Sequence, residues 1–356
     1  MSRPRVLIID DEPSNLGLLR QILKEEYNLF FAKGGEEGLA AVGRHEPALI
    51  LLDVRMPDMD GYEVCRRLKA DPAHAGIPVL FITASDNADS ESQGFEAGGV
   101  DYIYKPVCPS TVRARVRNHL SLVRLDQLEC SYRTAIVMLS EAGHYNDTDT
   151  GVHIWRMAAY ARALADAAGW SPEQSDLLEL AAPMHDMGKI GIPDHILKKP
   201  GPLTEEEWVI MRSHPRIGYE ILRRSDAPIF RMAAEIALHH HEKWDGSGYP
   251  AGETGEGIPE ASRIVAIADV FDALSVRRPY KEPWPLDRVL ATMRDGAGQH
   301  FDPRLLSRFL EIMPEILRLK AQWDAREERG ITRWAGSDRD CWPVRDQRWS
   351  SGHGPE

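Results

Sequence analysis

Short apolar runs alternate with helix-like segments over roughly the first third of the chain. Five of the runs have the length of a strand and read RVLIID, YNLFFA, ALILLDV, IPVLFITA and VDYIYKP. Between them, segments such as SNLGLLRQILKEE and GYEVCRRLKAD space their apolar residues as an amphipathic helix does. This alternation predicts a doubly wound α/β domain, in which helices cover both faces of a sheet of five parallel strands.

The pattern changes at Ser110, because no Pro or Gly interrupts the chain from there to Ala142. The segment predicts one long connecting helix or two nearly continuous helices. Its apolar residues Val112, Val116 and Leu120 suit either packing or the seam of a parallel dimer, so a homodimer is one of two alternatives. From there to about residue 325 the spacing is helical without a convincing strand, which predicts an all-α second domain.

These patterns divide the chain into four parts. We predict a first domain over residues 1–121, a connecting helix over 122–140, a second domain over 141–325 and a tail over 326–356. The tail is rich in Arg, Asp and Gly, as disordered segments often are. Its tryptophans Trp334, Trp342 and Trp349 are unusual for such a segment and would suit docking on the body of the protein, so both alternatives stay open.

The composition is that of a soluble globular protein, with 43% hydrophobic and 28% charged residues among 356. A formal net charge of −12 argues against a protein that binds duplex DNA, because such a protein usually presents a basic face. The charge leaves room for a small anionic ligand in a local basic pocket.

The N-terminus and the cysteines predict a cytoplasmic protein. The segment MSRPRVLIIDDEP has too short an apolar run for a signal peptide, and no apolar stretch approaches the ~20 residues of a membrane helix. The four cysteines are scattered without Cys-x-x-Cys spacing, which is typical of free thiols in a reducing compartment.

Five polar residues stand where predicted strands of the first domain end, namely Asp10, Asp11, Asp53, Thr83 and Lys105. The carboxyl ends of parallel strands meet at one edge of a sheet, so we expect these side chains to converge. Crowded carboxylates repel each other unless a cation joins them, and oxygen ligands suit Mg²⁺. A carboxylate beside Mg²⁺ can accept a phosphoryl group, whose oxygens Lys105 and Thr83 would bind. Any one of these aspartates alone would more often be a solvated cap, so the prediction depends on the whole set.

This set of residues resembles the receiver domain of two-component response regulators, from residue 4 to about residue 121. The segment MPDMDGYEV after Asp53 matches that family, and Tyr102 stands where the family has its aromatic switch residue. The resemblance implies a flavodoxin-like fold, bound Mg²⁺, phosphorylation of Asp53 and a sensor histidine kinase as partner.

Most of the 13 histidines lie in the second domain, together with aspartates that suit metal binding. The candidates are His153, His185, Asp186, His214, His239, His240, His241 and Asp269. Imidazole and carboxylate ligands suit first-row metals such as iron, manganese, zinc or nickel. So many candidates exceed what one ion needs, and we therefore expect at least two metal ions, with Asp186 as a bridging carboxylate. Two ions about 3.5–4 Å apart can activate water for in-line attack on phosphorus, which suggests hydrolysis of a phosphoester.

Three of these histidines are consecutive in LHHHEKWDGSGYP, and adjacent side chains on a helix do not share a face. His240 and His241 can converge on one ion if the helix ends there, whereas His239 turns away. The two glycines of the DGSG segment permit the turn that would bring Tyr249 to the pocket. Isolated histidines in helices are more often surface or packing residues than ligands, as we predict for His74, His119 and His144.

From about residue 135 to residue 320 the chain resembles the HD-GYP subgroup of the HD phosphohydrolase superfamily. The matching motifs are HDMGKIGIPD, HHEKWDGSGYP, IADVFDAL and RRPYK. The resemblance implies metal-dependent hydrolysis of cyclic di-GMP to the linear dinucleotide or to GMP, with iron or manganese as the most expected metal and nickel or zinc as alternatives. Carried over by position, the family's metal ligands are His153, His185, Asp186, His214, His240, His241 and Asp269.

Further residues complete the predicted site. Lys189 follows the His185–Asp186 pair by one helical turn and would stabilise charge on the phosphoryl oxygens. Arg278 and Lys281 in RRPYK would clamp the phosphates, the former with a bidentate fork.

Asp149 and Tyr249 are the remaining candidates. Asp149 precedes His153 by four residues and would either bind a third metal ion, as a glutamate does in some relatives, or cap the helix that begins near Gly151. Tyr249 would line the substrate cleft and contact a base or a phosphate.

Two classes of function fit these residues. The first, which the complete ligand set favours, is an enzyme whose hydrolysis of cyclic di-GMP is controlled by phosphorylation of Asp53. The alternative is a non-catalytic or very slow sensor of the cyclic dinucleotide that acts through protein partners. A third candidate is an HD hydrolase that acts on a different cyclic dinucleotide.

Overall fold

The computed structural model describes residues 3–84, 88–144, 151–276 and 283–329. The predictions for Asp149, Arg278, Lys281 and the tryptophans of the tail lie outside these ranges. The chain forms two compact units, and the boundary between them falls within one helix, between Ser131 and Tyr132.

The first unit is built on a parallel sheet of five strands. The strands are β1 (Arg5–Ile9), β2 (Asn28–Ala32), β3 (Leu49–Asp53), β4 (Val79–Thr83) and β5 (Asp101–Tyr104). Their order in the sheet is β2-β1-β3-β4-β5, which is the order of flavodoxin-like doubly wound domains. The predicted fold class of the first domain is confirmed.

Helices cover both faces of this sheet. They are α1 (Pro13–Leu23), α2 (Gly35–His45), α3 (Gly61–Ala70), α4 (Ala88–Glu96) and α5 (Pro109–His144). The central strands are apolar at nearly every position because both faces are buried, and alternate residues point into separate cores: Val6 and Ile8 into one, Leu7 and Ile9 into the other.

The predicted connecting segment forms one continuous helix, α5, with 36 residues. Val112, Val116 and Leu120 are buried in the core of the first unit, so these residues pack and do not form a seam. The next part of the helix is different, because Leu125 and Leu128 have 60% and 67% of their surface exposed.

The second unit is helical. After the C-terminal part of α5 its helices are α6 (Gly151–Ala168), α7 (Pro172–Ala181), α8 (Asp194–Leu197), α9 (Glu205–Met211), α10 (His214–Leu222), α11 (Pro228–His239), α12 (Glu260–Ser275), α13 (Leu286–Asp295), α14 (Pro303–Glu311) and α15 (Met313–Glu328). Capping boxes at Ser171 and Thr204 fix where α7 and α9 begin, because each side chain accepts a backbone N–H of the first turn. A single core of apolar side chains joins α6, α7, α11, α12 and α14.

Among the helices that the structure describes, none is both long and apolar enough to cross a membrane.

Candidate functional sites

The acidic residues of the first unit meet at the carboxyl end of the sheet, as predicted. Asp10, Asp11 and Asp53 each bring a carboxylate oxygen within 4.8 Å of the others. Lys105 Nζ lies 3.0 Å from Asp53 Oδ1 and 3.2 Å from Asp10 Oδ2. The donor set therefore consists of carboxylate oxygens, which suits Mg²⁺.

Burial is the largest influence on the pKa of Asp53. It raises the pKa of Asp53, and the neighbouring charge of Asp10 adds to the rise, whereas the hydrogen bond from Lys105 lowers it. Asp10 is fully buried and accepts hydrogen bonds from the Asn15 amide and the Glu12 backbone N–H. A divalent cation between the oxygens would relieve the repulsion.

The two other predicted residues of this site are buried beside it. Thr83 ends β4 and Tyr102 lies on β5, with 5% and 3% of their surface exposed. The Tyr102 hydroxyl donates a hydrogen bond to the Glu91 carbonyl of α4 at 3.1 Å, so its ring points inward in this structure. The Lys105–Pro106 peptide bond is cis.

In the second unit the predicted ligands form two groups of converging donor atoms. One group consists of Asp186, His214, His240 and His241, and the other of His153, His185 and Asp269. Asp186 lies between them, since its Oδ2 is 3.2 Å from His185 Nε2 and its Oδ1 is 3.2 Å from His214 Nε2. All seven positions predicted as metal ligands are thus brought together.

The histidine rings are fixed with one nitrogen free for a metal. His185, His214 and His240 each donate Nδ1–H to a backbone carbonyl three residues earlier in the chain, over 3.0, 2.7 and 3.0 Å. A carbonyl oxygen can only accept, so Nδ1 carries the hydrogen and Nε2 keeps its lone pair. This arrangement is typical of metal-ligating histidines.

Two of these donor atoms lie close to the others and still lack a hydrogen-bond partner. His185 Nε2 and Asp186 Oδ1 are buried and form no hydrogen bond of normal geometry with the described residues. Two donors about 2.1 Å from one ion and at right angles would be about 3 Å apart, which is close to the 3.2 Å distances observed here. The donor set, nitrogen and carboxylate oxygen, fits first-row divalent metals.

Local structure explains how adjacent residues reach one site. Short 3₁₀ turns at Ala182–Met184 and Met187–Gly191 flank the His185–Asp186 pair, so neither residue lies within an α-helix. Gly188 lets this segment approach α10 closely, because a Cβ there would lie 1.9 Å from the His214 carbonyl oxygen.

The run of three histidines is resolved by the end of α11. The helix ends at His239 with His240 as its C-cap, and His240 and His241 both join the Asp186 group. His239 lies outside every group of converging donors among the described residues, and its Nδ1 donates to the Glu235 carbonyl.

A buried ion pair behind His153 was not predicted from the sequence. Asp272 accepts a hydrogen bond from His153 Nδ1 at 2.5 Å and two from Arg156, at 2.5 and 2.9 Å. Asp272 and Arg156 are almost fully buried, and His153 Nε2 faces Asp269 at 3.4 Å. Asp272 follows Asp269 by three residues and so lies on the same face of α12, which is the one sequence signal that could have indicated it.

Lys189 and Tyr249 border the metal ligands. Lys189 Nζ lies 2.8 Å from Asp186 Oδ2. Burial alone would raise the pKa of Asp186, but the charges of Lys189 and His185 hold that pKa well below its usual range. The Tyr249 ring stacks on His241, with centroids 4.7 Å apart, and the Arg212 guanidinium lies 5.5 Å from the Tyr249 ring centre.

A second unpredicted carboxylate shapes the turn that carries Tyr249. Glu242 is buried and accepts backbone N–H bonds from Ala251, Gly252 and Glu253. Gly248 is needed in the same turn, because a Cβ there would lie 2.4 Å from the Lys243 backbone nitrogen.

His144, predicted as a surface or packing residue, is buried and lies beside the metal ligands. It ends α5 with 6% of its surface exposed, and its ring centre is 5.5 Å from that of His185. The sequence gives no signal for this position, because His144 lies in none of the motifs and meets His185 only through the fold.

Known proteins match both units of the chain. The model of the response regulator receiver domain family matches residues 6–117, and the model of the HD domain family matches residues 124–305. The cyclic di-GMP phosphodiesterase response regulator RpfG of Xanthomonas campestris pv. campestris (strain 8004) is 38% identical over 346 residues, which cover 91% of this chain and 92% of the relative.

Two relatives from Vibrio cholerae serotype O1 extend the comparison. A probable cyclic di-GMP phosphodiesterase is 37% identical over 343 residues, covering 87% of this chain and 78% of the relative. A 3′3′-cGAMP-specific phosphodiesterase, number 2 of its series, is 44% identical over 183 residues, covering 51% of this chain and 35% of the relative.

Proposed function

This chain belongs to the family of response regulators that join a receiver domain to an HD-type hydrolase domain, and we propose that it hydrolyses cyclic di-GMP. The observation that carries the proposal is the pair of donor groups that meet at Asp186. Relatives that share most of the chain's length are named as cyclic di-GMP phosphodiesterases, so the same substrate is the simplest inference.

Two divalent first-row metal ions fit these groups. One would be held by His214, His240 and His241, the other by His153, His185 and Asp269, with Asp186 between them. When bound, such ions supply Lewis acidity and lower the pKa of water for attack on phosphorus. Iron or manganese is our first choice, since nitrogen and carboxylate donors are mixed here, and nickel and zinc are the alternatives.

The protein's own side chains orient the substrate and balance charge. We propose that Lys189 turns from Asp186 to a non-bridging phosphoryl oxygen as negative charge develops there. Tyr249, stacked on His241, offers a flat apolar surface beside the metals for a guanine base. Arg278 and Lys281 lie outside the described residues, and their role as a phosphate clamp stays a prediction from the family resemblance.

The test is hydrolysis by the full chain loaded with Mn²⁺ or Fe²⁺, with products resolved by chromatography. We expect cyclic di-GMP to be converted to the linear dinucleotide or GMP. Asp186→Ala should lower the rate of hydrolysis by at least ~10³-fold, because it removes the carboxylate shared by both donor groups. Asp194→Ala is the matched control, because that aspartate is exposed and its carboxylate pairs with Lys198. Binding without product would contradict the enzyme and support the sensor alternative.

A related cyclic dinucleotide is the second candidate substrate, because the 3′3′-cGAMP-specific relative is 44% identical over half of this chain. Assaying both dinucleotides in parallel compares their kcat/KM values directly. We expect cyclic di-GMP to be preferred, since the relatives that share both domains are named for that substrate.

The first unit would act as the input. We propose that a sensor histidine kinase supplies the phosphoryl group to Asp53 with Mg²⁺ bound by Asp10, Asp11 and Asp53, and that the protein works in the cytoplasm. We also propose the domain limits 1–121, 122–140, 141–325 and 326–356 for the receiver, the connecting helix, the HD-type domain and the tail.

We also propose that two copies pair along α5. Leu122, Leu125 and Leu128 are spaced three residues apart and are 54%, 60% and 67% exposed, which is costly for a helix face that stays in water. We expect Leu125→Glu together with Leu128→Glu to give a monomer by light scattering, whereas Gln127→Glu, at an exposed position on the opposite face of the same helix, leaves a dimer. A monomeric wild-type chain at all concentrations would contradict this pairing.

A further inference from the structure

His144 shares the features of the predicted metal ligands although no motif includes it. It is buried, and its Nδ1 donates a hydrogen bond to the Ser140 carbonyl at 3.0 Å. The carbonyl can only accept, so Nε2 of the neutral ring keeps a lone pair. His185, His214 and His240 have the same arrangement.

His144 belongs to a further group of converging donor residues. His144, His185 and Asp186 bring donor atoms within 4.8 Å of one another, and all three residues are buried. His144 Nε2 and His185 Nε2 are also buried side-chain atoms that form no hydrogen bond with the described residues. Buried polar atoms normally have a partner, so two such nitrogens in one donor group indicate a common partner that is not a protein group.

Packing holds His144 in this position. Its ring centre is 5.5 Å from that of His185, closer than the 6.4 Å between the rings of His153 and His185. The preceding Gly143 packs against the dyad segment, because a Cβ there would be 2.9 Å from Met187 Cε. The end of α5 is therefore fixed against the residues that carry the metal ligands.

We propose that His144 Nε2 is a further metal ligand, which binds the ion held by His185 and Asp186. The inference rests on the proposed metal-dependent function and deepens it. It adds a ligand and not an ion, because His185 Nε2 has one lone pair and can bind only one metal. The ion on the His185 side of Asp186 would gain a nitrogen donor from the last residue of α5.

The test is Co²⁺ binding to the metal-free full chain, followed by visible absorption and by metal analysis after gel filtration. We expect His144→Asn to weaken one of the bound ions by at least about tenfold and to change the Co²⁺ spectrum. The asparagine amide can still donate to the Ser140 carbonyl, so the melting temperature of the metal-free protein should stay near that of the wild type. His144→Gln, whose amide oxygen reaches further, should restore part of the affinity.

His239→Asn is the matched control. His239 also donates Nδ1–H to the carbonyl four residues earlier, at 2.8 Å, but lies outside the donor groups. We expect its Co²⁺ affinity and spectrum to equal those of the wild type. Wild-type affinity and spectrum in His144→Asn would overturn the assignment of His144 alone, whereas a wild-type chain that binds no Co²⁺ would overturn the proposed metal-dependent function as well.

Discussion

At the scale of single residues, the metal ligands depend on partners that hold them in place. His153 reaches Asp269 through one nitrogen while the other is held by Asp272, and Asp272 is in turn held by Arg156. Arg156 also lies 3.5 Å from Asp324 and from Glu327 of α15. The buried guanidinium of Arg156 is therefore balanced by carboxylates from α12 and α15. Removing the buried carboxylate of Asp272 would leave this positive charge without its main partner, which is strongly destabilising.

Asp272→Asn tests this arrangement. The amide cannot accept all three hydrogen bonds from His153 and Arg156, because its NH2 group would face one of the donors and its charge is lost, so we expect a loss of about 3–5 kcal/mol in the free energy of unfolding. Metal affinity should fall about 10–100-fold, because the ring of His153 loses its fixed orientation. Urea unfolding and metal titration measure the two effects. Asp324→Asn, at a half-exposed partner of the same arginine, should change both values little, and an equal loss in the two variants would refute this account.

At the scale of elements, the ends of helices carry the chemistry. His144 ends α5, His240 and His241 follow α11, and the His185–Asp186 pair follows α7 between short 3₁₀ turns. Adjacent residues within a regular helix diverge by about 100°, and His240 and His241 converge at the point where α11 ends. The turn after α11 is held in place by the buried carboxylate of Glu242, which accepts hydrogen bonds from backbone N–H groups of that turn.

Glu242→Gln probes that turn. A glutamine amide presents N–H groups to the backbone donors of Ala251 and Gly252, so we expect the free energy of unfolding to fall by about 1–3 kcal/mol. Because the turn carries Tyr249, KM for the dinucleotide should rise more than kcat falls. Steady-state kinetics and urea unfolding check both effects, with Glu253→Gln, a more exposed neighbour, as the control. An unchanged KM would show that the turn does not position Tyr249.

The sequence predicted the elements and motifs well, and failed where contacts join distant residues. Apolar runs were sufficient for the five strands, and the position of Asp53 at a strand end followed from them. His240 and His241 could be anticipated at a helix end because turn residues follow them. The Arg156–Asp272 pair spans 116 residues, and His144 reaches His185 across the fold, so no local periodicity reports either contact.

At the scale of the whole molecule, two sites with different donor chemistry occupy one chain. The first unit offers oxygen donors only, whereas the second offers mainly imidazole nitrogen. Mg²⁺ should therefore load the first site without replacing the transition metals of the second. A phosphoryl group at Asp53 would be the signal that the first unit receives, and α5 runs on from that unit into the second.

Beryllofluoride with Mg²⁺, a mimic of the phosphoryl group, tests the coupling. We expect it to change the turnover of cyclic di-GMP or the oligomeric state of the wild-type chain, because the negative charge at Asp53 would draw Lys105 and Thr83 to new positions. Asp53→Asn should lose this response, and Asp71→Asn, at an exposed aspartate of the same unit, should keep it. If neither turnover nor the oligomeric state of the wild type changed, the proposed coupling between the two units would be wrong.

The buried donor atoms around Asp186 also affect the stability of the protein and therefore its rate of degradation. Each buried polar atom without a partner costs about 1–3 kcal/mol, so the metal-free chain folds against a penalty that bound metal removes. A ligand present at 100 times its Kd adds about 2.7 kcal/mol to the stability of the folded state. Under metal starvation a larger fraction of the chains would open and be degraded, so the abundance of this protein should follow the supply of its metal, independently of any signal at Asp53.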